Sequence, residues 1–528
     1  MHQKSYRSSF NDVRLSVQDA KALELLTSRK TRVMVVGAAL LALFLGALDA
    51  LVVGAAMPTI VSELGGLNLY SWVFSAYLLT RAISLPIFGK LCDLLSSKKL
   101  YLFAISIFLV SSVLAGAAQN MKQLIVFRAL QGIGAGGNFA LAYIVIADVS
   151  SPAQRGKMMG LVSFVWGVAS VLGPALGGFI VSYFSWRWIF YVNVPLGAMA
   201  LFGIGLYLTD LREKKKEASI DFLGAASLSL LVLAVLILFM MGGRSYAWMS
   251  PQVLGLLSVA GISGALFYFA ERRAKEPILN LNFFRVRGFS VANGAAFFSS
   301  FAIFSLSAYM PLFIQGALGK TPAQLGMAMI PLSLGWSGGA LLCGQLINRA
   351  REKPFSLFGS ILLMAGSGVP LVFTISTPLW FCSFVLAVAG LGMGFVSIGT
   401  LLMVQNSLSA SDLGVATSSQ QFSRTLGGTV GIGAAGSLVS ASLAKTLDAL
   451  SSNGLGSATL HSLPADLADN IQSLFQPHIQ ALLAPEVQRA FHQAIAKGVE
   501  AVFWAALAAS AISLIFSYLL PKLKHSSN

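Results

Sequence analysis

Charge is what this chain has least of. Only 11% of its 528 residues are Asp, Glu, Lys or Arg, while 56% are hydrophobic and mean hydropathy is +0.76. A water-soluble protein needs roughly a quarter of its residues charged to cover its surface, so a soluble fold is excluded. Cysteine is nearly missing too. Cys92, Cys343 and Cys382 sit at a loop edge or inside apolar runs, which gives neither a disulfide framework nor a metal site. The histidines His2, His461, His478, His492 and His525 all fall outside the long apolar runs, against a membrane metalloenzyme. No GxxxxGK[ST] phosphate loop occurs, so nothing is built to hold ATP. Residues 1–32 are too long and too charged for a secretory signal, and no cleavage site follows them.

What the chain has in abundance is apolar runs of about twenty residues, each long enough to cross a bilayer as a helix. Their spacing predicts spans over 33–57, 70–91, 101–119, 123–147, 158–181 and 188–208, then 222–242 and 250–270. A further six follow over 289–314, 323–347, 356–375, 379–404, 413–437 and 498–520. The reading is an all-α polytopic membrane protein of about 14 transmembrane helices. It divides into a cytoplasmic arm (1–32), a six-helix bundle (33–209), a linker with two extra helices (210–288), a second six-helix bundle (289–520) and a cytoplasmic tail (521–528). Within the second bundle, 438–497 reads as a long outer loop with helix-like stretches at 466–484 and 486–500. GKLCDLLSSKK (89–99) and GQLINRAREK (344–353) each follow the second helix of a bundle, a faint internal repeat of the kind that builds many transporters.

The net charge of +16 invites nucleic acid as a partner, but its placement excludes it. Of the 36 basic residues, 26 fall in loops on one side of the spans and seven on the other. That is the positive-inside pattern, and it puts both termini in the cytoplasm.

One acid breaks the apolar rule. Asp49, in LDALVVGAAMPTI (48–60), is the only carboxylate these boundaries place deep within a span. A charge there is costly and marks a functional site by default. Burial works against its ionisation and a neighbouring cation works for it, so its proton can be tuned to the working pH. The plainer alternative is an acid that only pins neighbouring helices. Arg81, Arg128 and Arg424 also lie within spans, three cations against one anion.

Several motifs together resemble the major facilitator superfamily, in particular its fourteen-helix drug:proton antiporters, over nearly the whole chain. LDALVVGAAMP is similar to the family's helix-1 motif, which implies a coupling role for Asp49. RALQGIGAG (128–136) is similar to its helix-4 motif, which implies that Arg128 supports proton movement. GVASVLGPALGG (167–178) resembles the antiporter motif, whose role in conformational change would fall to Gly167, Gly173, Pro174, Gly177 and Gly178. Small residues at helical spacing also allow close helix approach, so static packing is the alternative. WRWIFYVNVPLG (186–197) and LGVATSSQQFSRTLGG (413–428) are typical of the same branch. The loop GKLCDLLSSKK keeps the family's Gly89 and Asp93, but Leu94, Ser96 and Ser97 stand where it usually has Arg, Gly and Arg. The resemblance implies that Asp93 pairs across the cytoplasmic surface, with Lys98, Lys99 or Arg155 as candidate partners; a topology-setting charged turn is the alternative.

The expected activity is proton-driven efflux of lipophilic or amphiphilic small molecules across the cytoplasmic membrane by alternating access. No cofactor beyond the proton gradient and no metal is expected. Arg81 and Arg424 are the tentative cavity residues, and so many buried cations make anionic amphiphiles, lipids included, plausible cargo. Export of a lipid or lipid-linked envelope component is therefore a second reading, and a transport-dead sensor or intramembrane enzyme a third. The expected partners are cargo, protons and the bilayer; the chain is expected to act as a monomer, and an envelope adaptor is left open. Topology is directly testable. A single cysteine at Ser96 should react with impermeant maleimide only from the cytoplasm and one at Ser457 only from outside; the opposite pattern contradicts the orientation.

Overall fold

The computed structural model describes residues 28–65, 69–210, 221–243, 246–350, 352–452 and 485–521, and the structural statements below concern those residues. Most of the arm, the middle of the 438–497 segment and the end of the tail lie outside them, as do the helix-like stretch at 466–484 and Ser457.

The chain is helical because a bilayer offers backbone N–H and C=O groups no water, so each span must satisfy its own. In order, α1 is Arg29–Leu64, α2 Tyr70–Leu94, α3 Ser97–Gly116, α4 Met121–Asp148 and α5 Pro152–Tyr183. Then come α6 (Trp188–Tyr191), α7 (Asn193–Tyr207), α8 (Phe222–Met241), α9 (Pro251–Arg273) and α10 (Arg287–Leu312). The last are α11 (Pro322–Ala350), α12 (Glu352–Gly368), α13 (Leu379–Ser407), α14 (Leu413–Ser452) and α15 (Pro485–Leu519). Thirteen helices are long and apolar enough to cross a membrane. The fourteenth expected span, 413–437, is helical within α14 but is not among the thirteen, because Ser, Thr, Gln and Gly dilute its apolar character.

Two departures from the expected spans matter, while the span at 188–208 holds: Trp188–Tyr207 is one membrane-length run, with α-helical backbone at Val192 (φ −60°, ψ −23°), and it buries Asn193. α10 passes through Pro311 into a π-helical turn at Phe313–Ala317, and the chain leaves it through Gly319 at φ 62°. The 438–497 segment is helical at both ends, since α14 runs on to Ser452 and α15 begins at Pro485.

The helices meet along two seams between the N-terminal set (α1–α7) and the C-terminal set (α10–α15): α2 packs on α14, and α5 on α11. Near the 95–97 turn these seams are tight. A side chain at Gly89 would strike Ser418 and the Gly414 carbonyl, and Gly156 meets Gly344 backbone to backbone. Without a hydrophobic drive between helices in lipid, such small-residue crossings and dispersion contacts carry the association. A buried core at this end runs continuously from Val35, Leu100 and Val149 to Ile347, Leu401 and Leu413. At the opposite end, the core of Val53, Ile60, Leu124 and Trp186 contains only N-terminal helices. The molecule is closed at the 95–97 end.

The α8–α9 pair lies over the α2–α14 seam, where Leu228, Val232 and Leu236 of α8 join Leu79 and Ala82 of α2 and meet Phe422 and Leu426 of α14. Polar contacts fix its ends. Lys90 pairs with Glu276 at 3.2 Å, and the Ser437 hydroxyl donates to the Gly242 carbonyl at 2.8 Å. α9 extends three residues beyond the expected span, so its last turn holds a second buried acid. Glu271 accepts from the Ile278 and Leu279 amides, both at 3.2 Å.

Candidate functional site: a buried carboxylate–guanidinium pair and an aromatic, cationic cavity

Asp49 and Arg128 come together. α1 and α4 pack side by side, and Arg128 Nη1 donates to Asp49 Oδ2 at 2.6 Å, with each residue 1% exposed. Two charges out of water are tolerated only if the remaining lone pairs and N–H groups are also satisfied. Sequence reasoning missed the residues that do this. Gln131, one helical turn after Arg128, accepts from Arg128 Nη1 at 2.7 Å and donates to Asp49 Oδ1 at 2.9 Å. Asn193 donates to Asp49 Oδ1 at 3.0 Å and to the Ser112 hydroxyl at 2.9 Å. Ser112 closes the network by donating to the Phe190 carbonyl at 2.9 Å. Three side chains thus donate to the two oxygens of Asp49. Two atoms keep spare capacity, since Arg128 Nε and Asn193 Oδ1 have no hydrogen-bond partner. Two of the three missed residues stand in motifs already singled out, Gln131 in RALQGIGAG and Asn193 in WRWIFYVNVPLG. The start of the latter motif is tied to α1 by Trp186, which donates to Glu63 at 2.6 Å.

Tyr77 of α2 covers the pair. Its ring lies 4.1 Å from the Arg128 guanidinium carbon, and its hydroxyl donates to the Gly46 carbonyl at 3.3 Å. Beyond it lies a small void of about 10 Å³ lined by Gly46, Tyr77, Arg81, Ala135 and Phe139, room for about one water. Arg81 is partly buried there, its guanidinium 4.5 Å from the Phe139 ring and 5.3 Å from that of Trp166. Arg424 of α14 comes towards it from the C-terminal set. It donates to Gln421 at 3.2 Å, lies 5.4 Å from the Trp336 ring, and is close enough to Arg81 for the two charges to interact. Arg81 therefore faces the interface between the two helix sets and does not snorkel to the membrane surface.

The glycine-rich run of α5 splits its contacts. Gly167 packs against Ser337 of α11, whose hydroxyl donates to the Ser163 carbonyl at 3.1 Å. Gly173 lies against α1, where an added Cβ would come within 2.7 Å of Leu51 Cβ. Gly177 is buried, Gly178 has open space, and α5 continues as helix through Pro174. Thus α5 touches the helix that carries Asp49 and the opposite set at once.

Asp93 does reach across the seam. Its two oxygens accept from the Gly414 and Val415 amides, at 2.9 and 2.8 Å, at the start of α14. These are the unsatisfied N–H groups of a helix N-terminus, where a carboxylate is favoured. Gly89 and Gly414 make room for the approach. The Lys98 backbone amide is engaged elsewhere, donating to Asp210 at 3.2 Å, and Lys99 donates its amide to Ser96.

Comparison with known proteins agrees with this arrangement. The family model described as Major Facilitator Superfamily matches residues 39–432. The multidrug transporter protein MdtP of Bacillus subtilis is 35% identical over 513 residues, which cover 94% of each chain. Multidrug resistance protein 3 of the same organism is 32% identical over 496 residues, covering 92% of this chain and 95% of that one. Among solved structures, the human organic anion transporter MFSD10 superposes with a TM-score of 0.62 at 15% identity, covering 93% of this chain and 99% of that one. The proton:xylose symporter XylE does so with 0.58 at 14% identity, covering 93% and 96%. At such identities these two show the fold.

The Asp93 contact makes a prediction. The native cysteines Cys92, Cys343 and Cys382 are all buried, so a cysteine placed at Ser418, against Gly89, reports on the seam. Replacing Asp93 by Asn removes a charge at a helix terminus, about 0.3–1 kcal/mol and up to ~2 when partly buried. Maleimide should then label Ser418→Cys at least severalfold faster in Asp93→Asn than in the parent background. Equal rates would mean that Asp93 does not hold the seam.

Proposed function

Because the chain belongs to the major facilitator superfamily, and is a multi-pass transporter of the drug-efflux kind rather than an enzyme, we propose that it exports lipophilic or amphiphilic molecules in exchange for protons, with Asp49 as the proton carrier. The observation that carries this reading is the fully buried side chain of Asp49, whose oxygens accept from Arg128, Gln131 and Asn193. An acid held by hydrogen bonds that can part is able to exchange its charge for a proton, and the spare oxygen of Asn193 serves that exchange. On protonation, rotation of the Asn193 amide would turn its unpartnered Oδ1 towards the new O–H. Released from the carboxylate, Arg128 would keep Gln131 and the Tyr77 ring.

The closed 95–97 end is the basic end of the bundle, which the positive-inside rule assigns to the cytoplasm. The form described is therefore the one shut to the cytoplasm. In the proposed cycle, opening outward exposes Asp49, which takes a proton as cargo leaves; opening inward requires the α2–α14 and α5–α11 crossings to part, and Asp49 then releases the proton. We place the protein in the cytoplasmic membrane as a monomer with both termini inside, driven by the proton gradient alone. Export of a lipid or lipid-linked component is the second reading, favoured by Arg81 and Arg424, which lack carboxylate partners among the described residues.

In proteoliposomes, Asp49→Asn should abolish dye efflux driven by a pH gradient while the protein still inserts and folds, since the amide keeps the size and one acceptor oxygen but cannot carry the proton. Undiminished gradient-driven efflux by this variant would refute the coupling role. Arg128→Ala should lower stability by about 3–5 kcal/mol at neutral pH, the usual cost of orphaning a buried charge. Thermal unfolding checks this, and unchanged stability contradicts it.

A further inference from the structure

The residues where the two helix sets meet around Arg81 and Arg424 have a composition the export reading does not explain. Arg81 on α2 is covered by Phe139 of α4 and Trp166 of α5. Arg424 on α14 stands over Trp336 of α11, and the Tyr143 hydroxyl of α4 lies beside its guanidinium and within electrostatic reach of Arg81. The rings form two groups, one on each helix set: Phe139 is 5.0 Å from Tyr143 and 5.9 Å from Trp166, and Trp336 is 5.9 Å from Phe304. Among the described residues neither Arg81 nor Arg424 has a carboxylate partner. Hydrogen bonding is short as well. Arg424 Nε and the Gln421 side-chain amide nitrogen are buried without acceptors.

Two guanidiniums brought together from opposite halves repel, and face-on aromatic contact offsets only part of that. Buried N–H groups without acceptors add to the strain. An organic cation would worsen both terms. An oxyanion would relieve both, because a guanidinium presents a planar fork matched to carboxylate, sulfonate or phosphate oxygens. The aromatic rings then accept the apolar body attached to it.

We propose that Arg81 and Arg424 form a head-group subsite for an oxyanion carried on an apolar, aromatic-rich body, so that this transporter selects anionic amphiphiles. The subsite rests on the export reading for its place in a transport cycle. Because it joins residues of both helix sets, a bound oxyanion also favours their closure around it.

The test is binding by the purified full chain at fixed pH with no gradient, followed by isothermal titration calorimetry. The probes share one body and differ in charge: 2-naphthalenesulfonate and trimethyl(2-naphthyl)ammonium. The parent should bind the sulfonate more tightly. Arg81→Gln and Arg424→Gln should each weaken it about tenfold, the usual worth of one charge-assisted contact, while the ammonium binds more tightly than before. Lys at either position should recover only part of the sulfonate affinity, since it keeps the charge without the fork. Equal parental affinity for the two probes, or equal weakening of both by the Gln variants, overturns the proposal; equal weakening would make the arginines structural. A third arm uses dihexanoyl phosphatidylglycerol. Arginine-dependent competition with the sulfonate extends the subsite to lipid headgroups, and its absence with sulfonate binding intact assigns it to free organic anions. Because no gradient is applied, intact sulfonate selectivity alongside normal gradient-driven efflux by Asp49→Asn would fault the proton-coupling reading and leave the subsite standing.

Discussion

The structure depends on keeping one negative charge inside a membrane-spanning bundle. An isolated carboxylate at that depth is prohibitive, and even a paired one must have its remaining lone pairs filled. Four elements are bent to that need. α1 supplies Asp49, α4 supplies both Arg128 and Gln131 from adjacent turns, α3 supplies Ser112, and α7 supplies Asn193. The tight glycine packing of α4 follows from the same requirement. Gly132 lies against the Tyr77 carbonyl and Thr80, and Gly136 against the Arg81 carbonyl and Ser84, which brings α2 close enough for Tyr77 to cap the guanidinium.

That cap places two chemistries on either side of one aromatic ring. Towards α1 lies the charge pair; towards α14 lie Arg81 and the aromatic cavity. On our reading the first handles the proton and the second the cargo, and Tyr77 is the shortest connection between them. α5 offers a second connection, since Gly173 touches α1 and Gly167 touches α11. Parting the helix sets therefore disturbs the surroundings of Asp49 without any contact between cargo and carboxylate. The α8–α9 pair bears on the same motion, because it covers the α2–α14 seam.

The helical, polytopic architecture was legible from apolar run length alone, because bilayer thickness fixes that length. Asp49 was legible because nothing else like it occurs in a span, and Arg128 because a buried cation so near in character demands an anion. Gln131, Asn193 and Ser112 were not, since neutral polar residues are tolerated in spans for many reasons and only the fold shows which ones converge. The contact of Asp93 with two backbone amides of α14 was not legible, because a helix terminus 321 residues away leaves no charge in the sequence to find. Glu271 escaped notice because α9 ends three residues later than its hydropathy suggests.

The central claim is that proton and cargo compete for one protein through Asp49. The most direct measurement is proton release on cargo binding by purified protein in weakly buffered detergent, read with a pH dye. The account predicts that an exported compound displaces a proton from the parent and none from Asp49→Asn. Equal proton release by both proteins, or none by the parent at any pH where cargo binds, would contradict it.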